Sequence, residues 1–317
     1  MRQALVIGAG LSGASCAYSL AVRGWHVTVI EQAAHPAAGA SGLPVGLVVP
    51  HTSADDTRTS QITRIGIAQT LQRAAQLLTQ GQDWQATGVL EHCVEGSIKL
   101  PKIWADAESA QTQPSLQRYW SQPATPEQIT HAKLPANVPA IWHGCAAWVK
   151  PPALIAAMLQ HPNITLLLQT NAHALRLENV QWQVLDNQQQ VIAQAPIAIM
   201  AAGFDSQALL QPHLPTPYLP LNPLRGQVAW QWQNPEHSQT LPPHPVNGKG
   251  SFASHIPYQA QGKTGTIWIT GSTFQRADTD PVPRLNDIPE IWNKLHVLHP
   301  AAAQATQADF AAGHVNS

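Results

Sequence analysis

The sequence predicts an α/β protein: a parallel strand–helix–strand unit opens the chain and a mainly antiparallel sheet follows. Three observations carry this. The stretch "VIGAGLSGASCAYSLAVRGWHVTVIE", from Val6, sets Gly8, Gly10 and Gly13 between an apolar run and a helical one. A β-branched run, His26 to Ile30, comes next and ends at Glu31. Further on, "LRGQVAWQW" (224–232), "HIPYQ" (255–259) and "GTIWITGSTF" (265–274) are β-type runs with turn residues between them.

Ala4 to Ile7 has the composition of a buried parallel strand. Leu11 to Arg23 reads as a helix with Ala14, Ala17, Tyr18 and Ala21 on one side and Gly24 at the C-cap. Strand, glycine turn, helix and strand make a dinucleotide cradle. Gly8 permits the tight turn, Gly10 lets backbone approach a pyrophosphate, and Gly13 lets helix and strand pack closely. Glu31 falls about 20 residues beyond the glycines, where a carboxylate accepts ribose hydroxyls. An acidic ribose partner argues against a 2′-phosphate. The same segment reads as this unit rather than as a signal peptide, because Arg2 is its one early positive charge and three glycines interrupt the apolar region.

A loop rich in small residues follows, with Gly39, Gly42 and Gly46, and the apolar run Leu47-Val48-Val49 suggests an ordered, inward position. A helical period runs from about 57 to 78. Strands are expected at 87–93 and 96–100, and residues 104–133 read as irregular except for a short helix at Pro126–His131. A strand near 146–149 precedes a helix starting at Pro151-Pro152. Ile164 to Leu168 is another strand, Trp182 to Leu185 alternates weakly, and "APIAIMAAGFDS" is an apolar strand ending in small residues. A helix is expected around 288–298.

With 317 residues, the chain holds one large domain or two of ordinary size. No apolar run of about 18 residues exists, so no membrane span is expected. The formal net charge is −1, and the 17 Lys and Arg form no basic patch, which gives nucleic-acid binding no electrostatic support. Cys16, Cys93 and Cys145 are widely spaced, show no metal pattern and suit a reducing, cytoplasmic setting. The 15 His are scattered without metal-site spacing, so no metal is expected.

The order of these parts resembles the FAD-dependent oxidoreductases of the D-amino-acid-oxidase-like superfamily, which includes glycine and sarcosine oxidases. The stretches "GASGLPVGLVVP", "TGVLEHC", "GCAAWVKPPALIAAML", "AIMAAG", "LRGQV" and "GSTFQRADTD" carry the resemblance with the opening cradle, over residues 4 to about 280. "GASG", "RGQV" and "GSTFQRADTD" point more narrowly to the MnmC-like branch, the oxidase part of a tRNA-modifying bifunctional family. The resemblance implies FAD as cofactor, in a Rossmann-like FAD-binding domain paired with a mainly antiparallel substrate domain, α+β overall. It divides the chain into 1–79 with 141–214 for FAD, and 80–140 with 215–300 for substrate. Gly8, Gly10, Ser12 and Gly13 would hold the pyrophosphate and Glu31 the adenosine ribose. Ala172 would meet adenine by its backbone. Ser41, Gly42, Gly46 and Leu47 would run along pyrophosphate and flavin, and Ala202 and Gly203 would close over the cofactor.

The implied chemistry is oxidation of a C–N bond, with hydride passing to flavin and the resulting imine hydrolysed. His51 and Arg276 are the catalytic candidates, and Arg225 is the candidate for holding a substrate carboxylate. The structural readings are loop hydrogen bonding for His51 and pairing of either arginine with Asp278 or Asp280. The substrate is a small amine or amino acid, or the carboxymethylaminomethyl group of a modified tRNA wobble uridine. Against the family pattern, "HPAAAQATQADFAAGHVNS" does not resemble the usual last strand and glycine-led helix. The C-terminal part of the family fold is therefore expected to be missing, with 301–317 an atypical tail and an inactive FAD-domain fragment a third possibility.

Overall fold

The computed structural model describes residues 2–101, 120–215, 219–260, 262–313 and 315–316. In chain order the elements are β1 (Gln3–Ile7), α1 (Leu11–Ala21), β2 (His26–Ile30), β3 (Gly46–Val48), α2 (Arg58–Leu77), β4 (Trp84–Gln85), β5 (Val89–His92), β6 (Gln122–Pro123) and α3 (Pro126–His131). Next come β7 (Ala140–His143), β8 (Ala147–Val149), α4 (Pro151–Leu159), β9 (Ile164–Leu167), β10 (Ala174–Glu178), β11 (Gln181–Leu185), β12 (Val191–Ala195), β13 (Ile197–Met200) and α5 (Ser206–Leu210). The last are β14 (Leu224–Arg225), β15 (Val228–Trp232), β16 (Val246–Gly248), β17 (Gly250–Ala260), β18 (Lys263–Gly271), β19 (Gln275–Arg276), α6 (Ile288–Leu298) and α7 (Pro300–Ala311).

Two compact units emerge, both discontinuous. The first is Met1–Pro44 with Lys150–Pro223, the second Val45–Val149 with Leu224–Ser317. The sequence-expected boundary at 79/80 differs from this partition: α2 and β3 belong to the second unit, because β3 pairs with β8 there.

In the first unit a parallel sheet runs β13-β1-β2-β9, beside an antiparallel sheet β10-β11-β12. β1 is apolar from Ala4 to Ile7 because both faces are covered, as a parallel strand requires. The small face of α1, with Gly13, Ala14, Ala17 and Ala21 buried, lets the helix lie close to the sheet and to α4. α4 starts where Pro151 and Pro152 supply preset φ at positions that need no N–H. The core gathers Leu5, Ile7, Ile30, Leu175, Val184 and Leu209.

In the second unit a seven-stranded sheet runs β15-β18-β17-β16-β5-β7-β6, antiparallel except for β16 with β5. Phe252, Trp268, Leu90 and Leu241 fill its core together with Leu295 and Leu298 of α6. Two expectations change here. Residues 96–100 form no strand: a turn closes from the Gly96 N–H to the Cys93 carbonyl, with Gly96 at φ 86°, and the chain then runs irregularly. Helix α7 takes up residues 301–311 of the expected tail, and its Ala302 and Ala303 are wholly buried in that core. Its start is capped by the buried His299 ring, which accepts the Ala302 N–H at 3.0 Å and bonds to the Ala132 carbonyl through its other nitrogen. The irregular reading of 104–133 lies outside the described residues as far as residue 119.

Candidate functional site

β1 leads into Gly8, whose φ of 103° only glycine adopts without strain. Its N–H donates to the Ile30 carbonyl at 2.8 Å, tying the turn to the end of β2. A Cβ on Gly8 would lie 2.4 Å from the Ala201 carbonyl oxygen, and one on Gly13 would lie 1.9 Å from the Gly8 carbonyl oxygen. Both glycines are therefore demanded by close packing of the turn, the helix and the end of β13. Gly10 stands at the N-cap of α1 and contributes no side-chain cap. Ser41 Oγ accepts the Leu11 N–H at 3.0 Å, and Ser12 at the second helical position is exposed. A helix start left open in this way presents backbone donors and the positive end of the dipole to an anion.

Glu31 closes the other side. Its carboxylate accepts the Ala9 N–H at 2.8 Å through one oxygen and the Ala33 N–H at 2.9 Å through the other. Each oxygen keeps a lone pair for a further donor. The Thr170 N–H donates to the Glu31 backbone carbonyl, and the Gln169 N–H to that of Ala33, which brings the loop before Ala172 to the same rim. Ala202 and Gly203 follow β13, where Gly203 turns the chain at φ 58°. Gly42 packs against the Ala37 carbonyl, 2.8 Å from where its Cβ would be. The structure thus gathers Gly8, Gly10, Ser12, Gly13, Glu31, Ser41, Gly42, Ala172, Ala202 and Gly203 in the first unit. Gly46 and Leu47 are in the second, on β3, opposite Val149 and Trp148 of β8.

The remaining candidates also lie in the second unit. His51 is exposed, and its Nδ1 is 2.9 Å from Ser60 Oγ. Ser60 is wholly buried in the first turn of α2 and also bonds to Ser53 and Thr57, the latter being the N-cap. This hydroxyl hub holds one ring nitrogen of His51.

Arg225 corrects the expectation of a carboxylate-binding arginine. It is buried, and its guanidinium donors all have partners inside the chain. Nε donates to the Asp280 carbonyl at 2.8 Å, Nη1 to Gln275 Oε1 and Asp287 Oδ2, and Nη2 to Gln227 Oε1 and the Val282 carbonyl. No donor is left for a substrate, because the loop 278–287 wraps around the group. Burial alone would raise the Asp287 carboxyl, yet the hydrogen bonds from Arg225 and Gln275 hold it below the usual carboxylate range. Outside this hub, Arg284 bridges Asp278 at 2.6 Å and Asp280 at 2.8 Å and depresses both carboxyls. Arg276 is exposed, on β19 opposite Leu224. The hub was visible in sequence only as "LRGQV" and "GSTFQRADTD"; Asp287, its most buried member, carried no motif.

The profile of the family described as FAD dependent oxidoreductase (DAO) matches residues 3–315. The chain belongs to the DAO family of FAD-dependent oxidoreductases. The DAO cofactor is FAD, and the residues fit it: an open helix start, two glycines with no room for a side chain, and a carboxylate at the end of β2.

Among curated proteins, the chain is 42% identical over 313 residues to the tRNA 5-methylaminomethyl-2-thiouridine biosynthesis bifunctional protein MnmC of Polaromonas naphthalenivorans (strain CJ2), covering 98% of this chain and 48% of that protein. It is 42% identical over 312 residues to the protein of the same description from Paracidovorax citrulli (strain AAC00-1), covering 95% and 46%. The chain spans about half the length of the curated relatives it matches. Among solved structures it is similar to glycine oxidase from Bacillus cereus ATCC 14579, with TM-score 0.70 and 17% identity over 96% of this chain and 80% of that one. It is also similar to the FAD-bound L-alpha-glycerophosphate oxidase from Mycoplasma pneumoniae, with TM-score 0.66 and 16% identity over 95% of this chain and 80% of that one. These two likenesses show a shared fold. No helix among the described residues is long and apolar enough to cross a membrane.

Proposed function

We propose that this chain is a cytoplasmic oxidase module that cleaves a C–N bond in the carboxymethylaminomethyl side chain of a tRNA wobble uridine. The observation that carries this reading is the 42% identity to an MnmC protein over 98% of the chain. When bound, FAD supplies a two-electron acceptor for a hydride from the carbon attached to nitrogen. The N–H groups at the start of α1, with Ser12 and Ser41, would hold the diphosphate, and the Glu31 carboxylate would take ribose hydroxyls. Ala172, Ala202 and Gly203 would line the cofactor with backbone. Loss of hydride from carbon and of a proton from nitrogen leaves an imine, which water splits into a carbonyl compound and an amine. We assign that proton to His51, whose Nδ1 is engaged by Ser60 Oγ and whose Nε2 would be the acceptor.

The test is direct. The purified chain is loaded with FAD and incubated with tRNA carrying the carboxymethylaminomethyl uridine, and digested nucleosides are weighed by mass spectrometry. Conversion to the aminomethyl nucleoside supports the reading; an unchanged nucleoside with a fully flavinated protein overturns it.

A second reading, a small-molecule oxidase, rests on the fold shared with glycine oxidase at TM-score 0.70. Hydrogen peroxide released from glycine, sarcosine or D-alanine, with modified tRNA left untouched, would favour it.

A further inference from the structure

The loop after β3 and the first turn of α2 hold three hydroxyls in a closed triangle. Ser53 Oγ donates to Thr57 Oγ1 at 3.3 Å. Thr57 Oγ1 lies 3.1 Å from Ser60 Oγ, and Ser60 Oγ lies 2.9 Å from Ser53 Oγ. Two backbone amides feed the same triangle: the Thr57 N–H donates to Ser53 Oγ at 3.1 Å, and the Ser60 N–H to Thr57 Oγ1 at 3.3 Å. The imidazole of His51 meets it at one corner, with Nδ1 2.9 Å from Ser60 Oγ. Ser60 is wholly buried, so its hydroxyl depends on these partners.

Counting protons decides which way each bond runs. A hydroxyl gives one proton and accepts two. Ser53 commits its proton to Thr57. Thr57 Oγ1 accepts that proton and the Ser60 N–H, so its own proton goes to Ser60 Oγ. The contact between Ser60 and Ser53 then needs the Ser60 proton, because Ser53 has none left to give. Ser60 is left with one acceptor site and no proton for the imidazole, so His51 Nδ1 is the donor. The opposite assignment, with Ser60 donating to Nδ1, would set two hydroxyl oxygens 2.9 Å apart with no proton between them.

We propose that Ser53, Thr57 and Ser60 are positioning residues that hold neutral His51 as its Nδ1–H tautomer, with Nε2 the basic nitrogen. The proposal rests on the assignment of the amine proton to His51 given above, and it supplies the reason why Nε2 rather than Nδ1 accepts. In that step the proton leaves the substrate nitrogen, the N–H electron pair stays behind on that nitrogen, and a new Nε2–H bond forms. The imidazolium that results still donates through Nδ1, so Ser60 accepts from it as before. Proton uptake therefore leaves every bond of the triangle in place and needs no reorganisation.

The full chain, isotope-labelled at its histidine ring nitrogens, is read by two-bond proton–nitrogen correlation in mildly basic buffer, where an ordinary imidazole is neutral. His51→Gln identifies the His51 signals by their loss. A pyrrole-like Nδ1 and a pyridine-like Nε2 are expected; a pyridine-like Nδ1 overturns the proposal. Ser53→Ala frees the Ser60 proton for Nδ1, so the two His51 nitrogen signals are expected to move toward each other as the Nε2–H tautomer mixes in. Ser53→Thr keeps a hydroxyl and is expected to leave them in place. Unmoved signals in Ser53→Ala, in protein shown by thermal unfolding to be folded, overturn the triangle as the cause of the tautomer. In the flavin-loaded enzyme acting on modified tRNA, Ser53→Ala is expected to lower kcat about two- to tenfold with KM unchanged, in step with the share of Nδ1–H tautomer lost, and Ser53→Thr to restore it. Mixed tautomers with a wild-type kcat overturn the assignment of the proton to His51, and the positioning role with it. A wild type that shows the Nδ1–H tautomer yet leaves the modified nucleoside unchanged supports the triangle and overturns the tRNA reading alone.

Discussion

The glycine cradle and the Arg225 hub answer opposite questions. The cradle leaves donors open: α1 starts at Gly10 without a side-chain cap, and Glu31 meets two N–H groups with acceptor capacity to spare. The hub leaves none open, since loop carbonyls, two glutamines and Asp287 take every Arg225 donor. The difference teaches that a ligand site is marked by polar groups the fold does not satisfy, and a structural site by groups it satisfies completely.

Substitutions separate the two. The largest effect is expected from Gly13→Ala, whose Cβ would sit 1.9 Å from the Gly8 carbonyl oxygen, so that turn and helix must part. The variant should lose flavin entirely on gel filtration, read as absent visible absorbance in the protein peak. Retention of flavin would break the account of the cradle. Next is Arg225→Ala, which leaves Asp287 buried without its cation. It should lower unfolding free energy by about 3–5 kcal/mol in a urea titration, while the folded fraction still binds flavin. Loss of flavin from protein that remains folded would mean that the hub and the cradle are not separable.

Glu31→Ala comes third. Removing the carboxylate should weaken FAD about ten- to a hundredfold by equilibrium titration, as loss of charge-assisted hydrogen bonds does. An unchanged affinity would show that those oxygens serve only the Ala9 and Ala33 amides.

The finest comparison is by pH. Burial holds the His244 and His299 rings below the usual value of 6.5. Both lie in the second unit, in or beside the packing of α3, α6 and α7. A histidine kept neutral in the folded state takes up its proton more readily when unfolded. Stability therefore falls as pH drops below about 6.5, until the folded rings themselves protonate. Thermal midpoints measured between pH 7.5 and 5.5 should decline, and the decline should shrink in His299→Gln. A flat profile would break this prediction.

Much of the first unit was legible because its signals are local. Apolar runs gave β1, β2 and β9 nearly residue for residue, and α4 began at the proline pair. Gly8 and Gly13 could be named because one turn with fixed backbone needs requires glycine there, and Glu31 because it ends the next strand at the expected spacing. β10 was missed, since only Leu175 of its five residues is buried and its turn is Asn179-Val180, at φ 48° and 62°, rather than a glycine turn. "LRGQVAWQW" read as one strand but divides into β14 and β15 around Gly226, where a Cβ would lie 3.1 Å from the Thr273 carbonyl oxygen. The alanines of 301–312 read as an atypical tail because small side chains carry a weak apolar signal. In the fold their smallness is what lets α7 enter the core.

By itself the sequence determined the cradle and the alternation of parallel and antiparallel segments. Those depend on backbone conformation and periodicity over short stretches. Tertiary structure alone decided which arginine is buried and which is presented. Arg225 and Arg276 are chemically the same residue in similar local contexts. Their roles diverge because opposite faces of one short ribbon meet a wrapped loop and open solvent, and no local pattern encodes which face is covered.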